Sequence, residues 1–163
     1  MKEILNTIKL ELPAKSENEN FARTAVAAFA VQLDPTLDEI NDLKTAVSEA
    51  VTNCIVHAQT KKIMIECSLW KEGTKKRGIS VTVTDFGVGI ANIEKALEPF
   101  FTTKPEQERS GMGFTVMQSF MDAIAVYSNG RHMTVGHMDS LKVVNDKPHG
   151  TIVEMTKVFG GRT

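Results

Sequence analysis

The sequence predicts an α+β fold, a two-layer sandwich with helices on one face of a mixed, mostly antiparallel sheet. Two helical patterns follow an opening strand, a strand–turn–strand pattern comes next, and further strands end the chain after a long polar segment. With 163 residues, 42% of them hydrophobic and 24% charged, residues 1–163 are predicted to form one soluble domain.

The first elements are predicted to be a strand and a helix. Alternating apolar residues over 4–12 indicate a strand that ends at Pro13. Ser16 and Glu19 then have the spacing of a capping box, which predicts the start of a helix. This helix is expected to bury one stripe of apolar residues: Phe21, Ala25, Ala28, Phe29 and Leu33.

A second helix is predicted after the break at Asp34-Pro35. Thr36 and Glu39 repeat the capping-box spacing, and the helix is expected to run to about His57. Its predicted apolar stripe consists of Leu37, Ile40, Leu43, Val47, Val51 and Cys54.

The rest of the chain is predicted to be mainly strands. Alternation over 63–69 and 79–83, across the turn EGTKKRG, indicates a hairpin. A short helical stretch at 91–98 precedes PFFTTKPEQERSGMG, which is typical of a long functional loop. Phe114, Met117 and Met121 then restore helical spacing before the final strands, which Asn129-Gly130 and Pro148-His149-Gly150 separate.

Composition limits the expected location and partners. The formal charge of -1 provides no general attraction for nucleic acids or acidic membranes, so neither is expected as a direct partner. The longest apolar run, 25–31, is too short to span a bilayer. Cys54 and Cys67 lie on apolar periodicities, which predicts buried free thiols in a reducing compartment and a cytoplasmic protein.

A polar pair on the second helix is the first candidate for chemistry. Glu49 and Asn53 are one turn apart and lie off the apolar stripe, so their heads can converge on one ligand. The Asn oxygen can ligate a hard cation such as Mg²⁺, and the Glu carboxylate can accept a proton. Taken alone, such a pair is more often a solvated helix face.

The second candidate is the carboxylate of Asp85. It continues the core-facing parity of Ile79, Val81 and Val83, and a buried carboxylate needs a hydrogen-bond donor. That donor can be the amine of a ligand such as adenine, which Gly87 and Gly89 would allow to approach the backbone. The alternative is a donor from the backbone of the Asp85 turn itself.

The third candidate is SGMGF, directly ahead of a helix. Gly111 and Gly113 can direct backbone amides at a phosphate, where the positive end of the helix dipole adds attraction. Lys104 and Arg109 can add charge, although a plain turn is the simpler interpretation of these glycines alone. Taken together, the three candidates predict a nucleoside triphosphate site that is not of the Walker type, since GxxxxGK[ST] is absent from the sequence.

These motifs resemble those of the GHKL ATPases, which share the Bergerat fold. The matching stretches are E-A-V-T-N at 49–53, D-F-G-V-G at 85–89, G-M-G-F at 111–114 and G-T at 150–151. Over about residues 10–127, the chain also resembles the anti-sigma kinases of sporulation within that superfamily. The resemblance implies ATP and Mg²⁺ as cofactors.

The resemblance also implies roles for single residues. Glu49 is expected to be the base near the substrate hydroxyl, Asn53 an Mg²⁺ ligand and Asp85 the adenine reader. Thr151 is expected to support the adenine side, and Arg23 to contact a partner. The remaining nucleotide contacts are expected at Gly87, Gly89, Thr103, Lys104, Arg109, Gly111, Met112, Gly113 and Phe114.

The resemblance implies two activities. A homodimer would bind an RNA polymerase sigma factor of the F type and keep it inactive, and would phosphorylate a serine of its antagonist, the anti-anti-sigma protein. The loop 99–110 would form a lid over ATP. Alternatives are a histidine-kinase catalytic domain, which PFFTTK resembles, a related stress-response anti-sigma kinase, and a switch that binds ATP without catalysis.

Three features depart from the family pattern. Cys54 stands where Ala is common, and Ala58-Gln59 follow His57 where Gly-Tyr is common, in a shortened turn. The segment 128–149 is longer than usual, and an extra hairpin is expected there.

Overall fold

The computed structural model describes residues 1–98, 113–136 and 150–160, and its elements follow the predicted order. The strands are Lys2–Pro13 (β1), Lys62–Glu72 (β2), Lys76–Asp85 (β3), Ala123–Ser128 (β4), Arg131–Gly136 (β5) and Thr151–Phe159 (β6). The helices are Glu17–Ala30 (α1), Leu37–Val56 (α2), Ile93–Ala96 (α3) and Gly113–Phe120 (α4), and a 3₁₀ turn, Val31–Leu33, extends α1.

The six strands form one sheet in the order β1-β2-β3-β6-β4-β5. Every strand pairing in the described part of the chain is antiparallel, in agreement with the predicted mostly antiparallel sheet. The last strand, β6, lies between β3 and β4, and Ile152 pairs with Thr84. This crossover brings the start of β6 beside Asp85 at the end of β3.

The core lies between the sheet and the helices, as expected for a two-layer sandwich. Leu43, Val47 and Val51 of α2 are fully buried against strand residues such as Ile65 and Val81. Burying each such side chain contributes roughly 1.5–3 kcal/mol, so this layer contact stabilises the helices as well as the sheet. Among the described helices, none combines the length and apolarity needed to cross a bilayer.

The two predicted capping boxes have different outcomes. The box of α2 is confirmed: Glu39 N–H donates to Thr36 Oγ1 at 3.2 Å, and Thr36 N–H donates to Glu39 Oε2 at 2.8 Å. The box of α1 is wrong, because Ser16 has helical backbone angles and its side chain makes no capping bond to the described helix. Glu19 instead accepts a hydrogen bond from the Ser48 hydroxyl of α2.

The predicted apolar stripe of α1 is partly wrong. Phe21 is 55% exposed and Ala28 is also exposed, whereas Ala22 and Val26 are buried together with Phe29. Because alanines occupy several faces of α1, the apolar pattern did not determine which face meets the sheet. In α2, the first residue of the predicted stripe, Leu37, is likewise exposed, at 75%.

The single tryptophan lies at the turn end of the β2–β3 hairpin. Trp70 pairs with Gly78 across the two strands and is 1% exposed. A Cβ on Gly78 would lie 2.3 Å from Lys157 O and 2.6 Å from ring atom Cζ2 of Trp70, so the glycine leaves room for both the β6 backbone and the indole. The Lys2 ammonium lies 4.3 Å from the ring centroid, at a cation–π distance.

Candidate nucleotide-binding site

Asp85 closes β3 as a buried carboxylate that is 4% exposed. Its Oδ1 accepts hydrogen bonds from Gly87 N–H at 3.0 Å and from Thr151 N–H at 3.1 Å. The first bond is the turn contact that the sequence offered as the alternative for Asp85. Two backbone donors hold Oδ1 of the carboxylate, whereas its role towards adenine remains a prediction.

A hydroxyl pair extends this buried network. Ser128 Oγ lies 3.0 Å from Thr151 Oγ1, donates to Gly150 O at 3.1 Å and accepts from Ile90 N–H at 2.7 Å. Ser128 was not predicted as a site residue. The sequence pattern could have identified Ser128, because this residue follows Ile124 and Val126 on the core-facing side at the end of a strand. Asp85 has the same position at the end of β3.

Two glycines of the D-F-G-V-G loop are required by close packing. A Cβ on Gly87 would lie 1.7 Å from Ala58 O, and one on Gly89, whose φ is +78°, would lie 2.5 Å from Asn129 Nδ2. Protein neighbours therefore explain both glycines, and their predicted contacts with a nucleotide backbone are a separate expectation.

The altered turn after α2 supports the D-F-G-V-G loop. Val88 N–H donates to Ala58 O at 2.8 Å, and Phe86 N–H donates to Thr60 Oγ1 at 3.2 Å. Gln59 between them has a left-handed φ of +55°. The shortened turn thus has its own contacts with the loop that begins at Asp85.

Both cysteines are buried free thiols, as predicted. Cys54 Sγ lies 3.8 Å from Asp85 Oδ2, within hydrogen-bond reach of a sulfur donor. Burial first, and then the charge and hydrogen bond of Asp85, raise the pKa of the Cys54 thiol well above its ordinary value. Burial raises the pKa of Cys67 to about 12.

Glu49 and Asn53 converge on the first residue of α4. A Cβ on Gly113 would lie 3.2 Å from Asn53 Oδ1 and 3.3 Å from Glu49 Oε2. The structure therefore brings the first and third motifs together at a helix N-terminus, where the first-turn amides and the helix dipole favour an anion. Both side chains are half-buried, away from the core stripe of α2.

The donor set at this point fits Mg²⁺. An amide oxygen and a carboxylate oxygen are hard ligands, and Gly113 leaves the space between them and α4 without a side chain. Within residues 1–98, 113–136 and 150–160, no three His, Cys, Asp or Glu side chains cluster as a metal site. A Mg²⁺ ion held here would also take phosphate and water oxygens as ligands, because it usually binds through one or two protein ligands plus phosphates and water.

Arg23 lies in a polar cleft beside Glu49. The cleft, of about 290 Å³, is lined by Arg23, Asn41, Lys44, Thr45, Ser48 and Glu49. The guanidinium donates to Asn20 Oδ1 at 3.0 and 3.1 Å and lies 3.7 Å from Glu19 Oε1. The face of α2 that carries Glu49 is thus open towards α1.

Of the other predicted site residues, the structure describes Phe114 but not the residues of the predicted lid and its neighbours. Phe114 is partly buried and packs against the hydrophobic core from α4. Five predicted residues, and the predicted lid at 99–110, lie outside the described part of the chain: Thr103, Lys104, Arg109, Gly111 and Met112.

Known proteins similar to this chain agree on its family. The histidine kinase-like ATPase domain model matches residues 12–136. An anti-sigma F factor of Clostridium perfringens (strain SM101) is 56% identical over 127 residues, 76% of this chain and 87% of that protein. Another, of Thermoanaerobacter sp. (strain X514), is 51% identical over 159 residues, 97% of each chain. The mycobacterial sensor histidine kinase MprB shares the fold, with a TM-score of 0.50 and 14% identity over 95% of this chain and 100% of its own. This chain belongs to the histidine kinase-like ATPase family and, within it, to the anti-sigma F factors.

Proposed function

We propose that this chain binds a sporulation RNA polymerase sigma factor of the F type and holds it inactive, and that it is also an ATP-dependent serine kinase. Its family and the name of its relatives support this proposal. The single observation that carries the catalytic part is the convergence of Glu49 and Asn53 on Gly113 at the start of α4.

ATP would occupy the space from Asp85 to the start of α4. The Asp85 carboxylate, oriented by the amides of Gly87 and Thr151, would accept a hydrogen bond from the exocyclic amine of adenine. The phosphates would lie at the backbone amides of Gly113 and of the residues that precede it. Lys104 and Arg109 would supply positive charge.

Asn53 would be the protein ligand of Mg²⁺. The ion would neutralise charge on the β- and γ-phosphates and keep them oriented, which accounts for much of the catalysis in phosphoryl transfer. Glu49, one turn earlier on α2, would take the proton from the attacking serine hydroxyl.

The substrate serine would reach Glu49 from the cleft between α1 and α2. This approach requires the serine to lie on a protruding part of the anti-anti-sigma protein, since Glu49 is half-buried in the lining of this cleft. Arg23, at the same cleft, is the candidate contact with a protein partner. We propose that the active form is a cytoplasmic homodimer.

The test is phosphate transfer from γ-labelled ATP to the cognate anti-anti-sigma protein, with the sigma factor's retention by the chain measured in parallel. Acid-stable phosphoserine is expected. Acid-labile phosphate on the partner would instead identify a histidine kinase. Nucleotide-dependent sigma binding without any transfer would identify a non-catalytic switch.

A further inference from the structure

The last turn of α2 serves both parts of the proposed ATP site through adjacent residues. Asn53 faces Gly113, and Cys54 faces Asp85, with Sγ 3.8 Å from Oδ2. Cys54 is 5% exposed, so this contact lies inside the protein. A small apolar side chain would satisfy the packing of α2 at this position, but only a donor can serve the carboxylate.

The two oxygens of Asp85 have different surroundings. Oδ1 accepts the amides of Gly87 and Thr151, which come from the loop after β3 and from β6. Oδ2 lies on the side of Cys54 and α2. The thiol therefore approaches the carboxylate from a third element, α2, and at a different oxygen from the one that accepts the Gly87 and Thr151 amides.

The chemistry of the two groups makes this contact attractive. A thiol is a weak S–H donor and a carboxylate is an acceptor, so the 3.8 Å approach of Cys54 Sγ to Asp85 Oδ2 is a hydrogen-bond contact.

We infer that Cys54 is a positioning residue for base recognition, whose thiol orients the Asp85 carboxylate towards the exocyclic amine and so raises the preference for adenine over a purine lacking that amine. This inference rests on the proposed role of Asp85 as the adenine reader. Cys54 itself need not touch the nucleotide.

The test compares calorimetric affinities for ATP and inosine triphosphate, whose base has an oxygen in place of the amine. Cys54→Ala is expected to lower the ATP preference about 3- to 10-fold, the range of a weak hydrogen bond to a charged group. Cys54→Ser, which keeps a donor, should retain most of the preference. Cys54→Val, which fills the space without a donor, should lose it as Cys54→Ala does.

Cys67→Ala is the matched control, since Cys67 is also a buried free thiol but belongs to β2 and the general core. It should lower the melting temperature and leave the ATP preference unchanged. If Cys54→Val and Cys54→Ala keep the wild-type preference, or if Cys67→Ala changes it equally, the inference is overturned.

Asp85→Asn separates this inference from the proposed function. A wild-type chain without ATP preference, or an Asp85→Asn variant that retains it, would refute the adenine-reader role itself. If that role stands, Cys54→Ala should have little further effect on the preference in the Asp85→Asn background. Additive effects of the two substitutions would overturn the positioning role alone.

Discussion

The two ends of the proposed ATP site are built in different ways. At the base end, Asp85 is buried and held by backbone amides from a loop and from β6. At the catalytic end, Glu49 and Asn53 are half-buried side chains that extend from one face of α2. The base end is therefore part of what holds the sheet together, whereas the catalytic end is placed on a helix that the core already stabilises.

This difference predicts that substitutions at the two ends affect different properties of the protein. Changes at the base end should alter folding stability and nucleotide binding together, because buried donors lose their acceptor. Changes at the catalytic end should alter chemistry and leave stability intact.

The largest effect on folding stability is expected from Gly87→Ala at the base end. Its Cβ would lie 1.7 Å from Ala58 O, a backbone atom, so the loop after β3 must move away from the turn after α2. We expect a loss of about 3 kcal/mol or more in the free energy of unfolding, measured in urea. Gly73→Ala is the control: its φ is +64°, yet an added Cβ would have no described atom within 4 Å apart from its chain neighbours, so a loss of about 1 kcal/mol is expected. Equal losses in the two variants would contradict the packing argument.

Glu49→Gln tests the catalytic end. Loss of the base should lower phosphate transfer to the serine protein about 10²- to 10⁴-fold, with ATP affinity and melting temperature close to wild type. Transfer is measured with labelled ATP under single-turnover conditions. Glu17→Gln, at the exposed start of α1, should have no effect. Full transfer by Glu49→Gln would remove this residue from its proposed role.

Asp85→Asn should change two properties at once. An amide group offers a donor where the adenine amine needs an acceptor, so ATP affinity should fall about 10- to 100-fold by calorimetry. Stability should also fall by about 1–3 kcal/mol. Asp122→Asn is the control, because Asp122 Oδ2 also accepts an amide of β6, Val158 N–H at 2.7 Å. Asp122 does not belong to the proposed ATP site. If Asp122→Asn weakened ATP binding equally, the loss at Asp85 would be merely structural.

The smallest effect is expected from Lys157→Met, because this residue only links α2 and α4 to β6. Lys157 Nζ donates to Phe120 O of α4 at 2.7 Å and to Asp42 Oδ2 of α2 at 3.2 Å, which joins both helices to β6. Lys157→Met should lower stability by about 1–2 kcal/mol and phosphate transfer less than about threefold. Lys71→Met removes an exposed ion pair with Glu3 at 3.1 Å and should cost less than about 1 kcal/mol. A strong loss of transfer in Lys157→Met would show that the catalytic end depends on this anchor.

Periodicity was a reliable guide where one face of an element is clearly apolar. The spacing of Leu43, Val47 and Val51 predicted the buried face of α2, and it also identified the face that carries Glu49 and Asn53. In α1, alanines on several faces removed that contrast, so Phe21 was assigned to the wrong side.

Contacts between distant segments could not be predicted in this way. The parity of β3 showed that Asp85 points inward, but its bond with Thr151 depends on β6 entering the sheet beside β3. The packing of Ala58 against Gly87 and of Asn129 against Gly89 likewise joins turns that are far apart in sequence. Such contacts follow from strand order, which local pattern does not determine.

The place of Trp70 has a practical consequence for all these comparisons. It is the only tryptophan of the chain, enclosed and near a lysine ammonium, so its emission should be blue-shifted and should move to the red on unfolding. Its partner Gly78 and Asp85 stand at opposite ends of β3, about 23 Å apart along the strand. Intrinsic fluorescence therefore provides a readout of global denaturation that nucleotide occupancy leaves undisturbed.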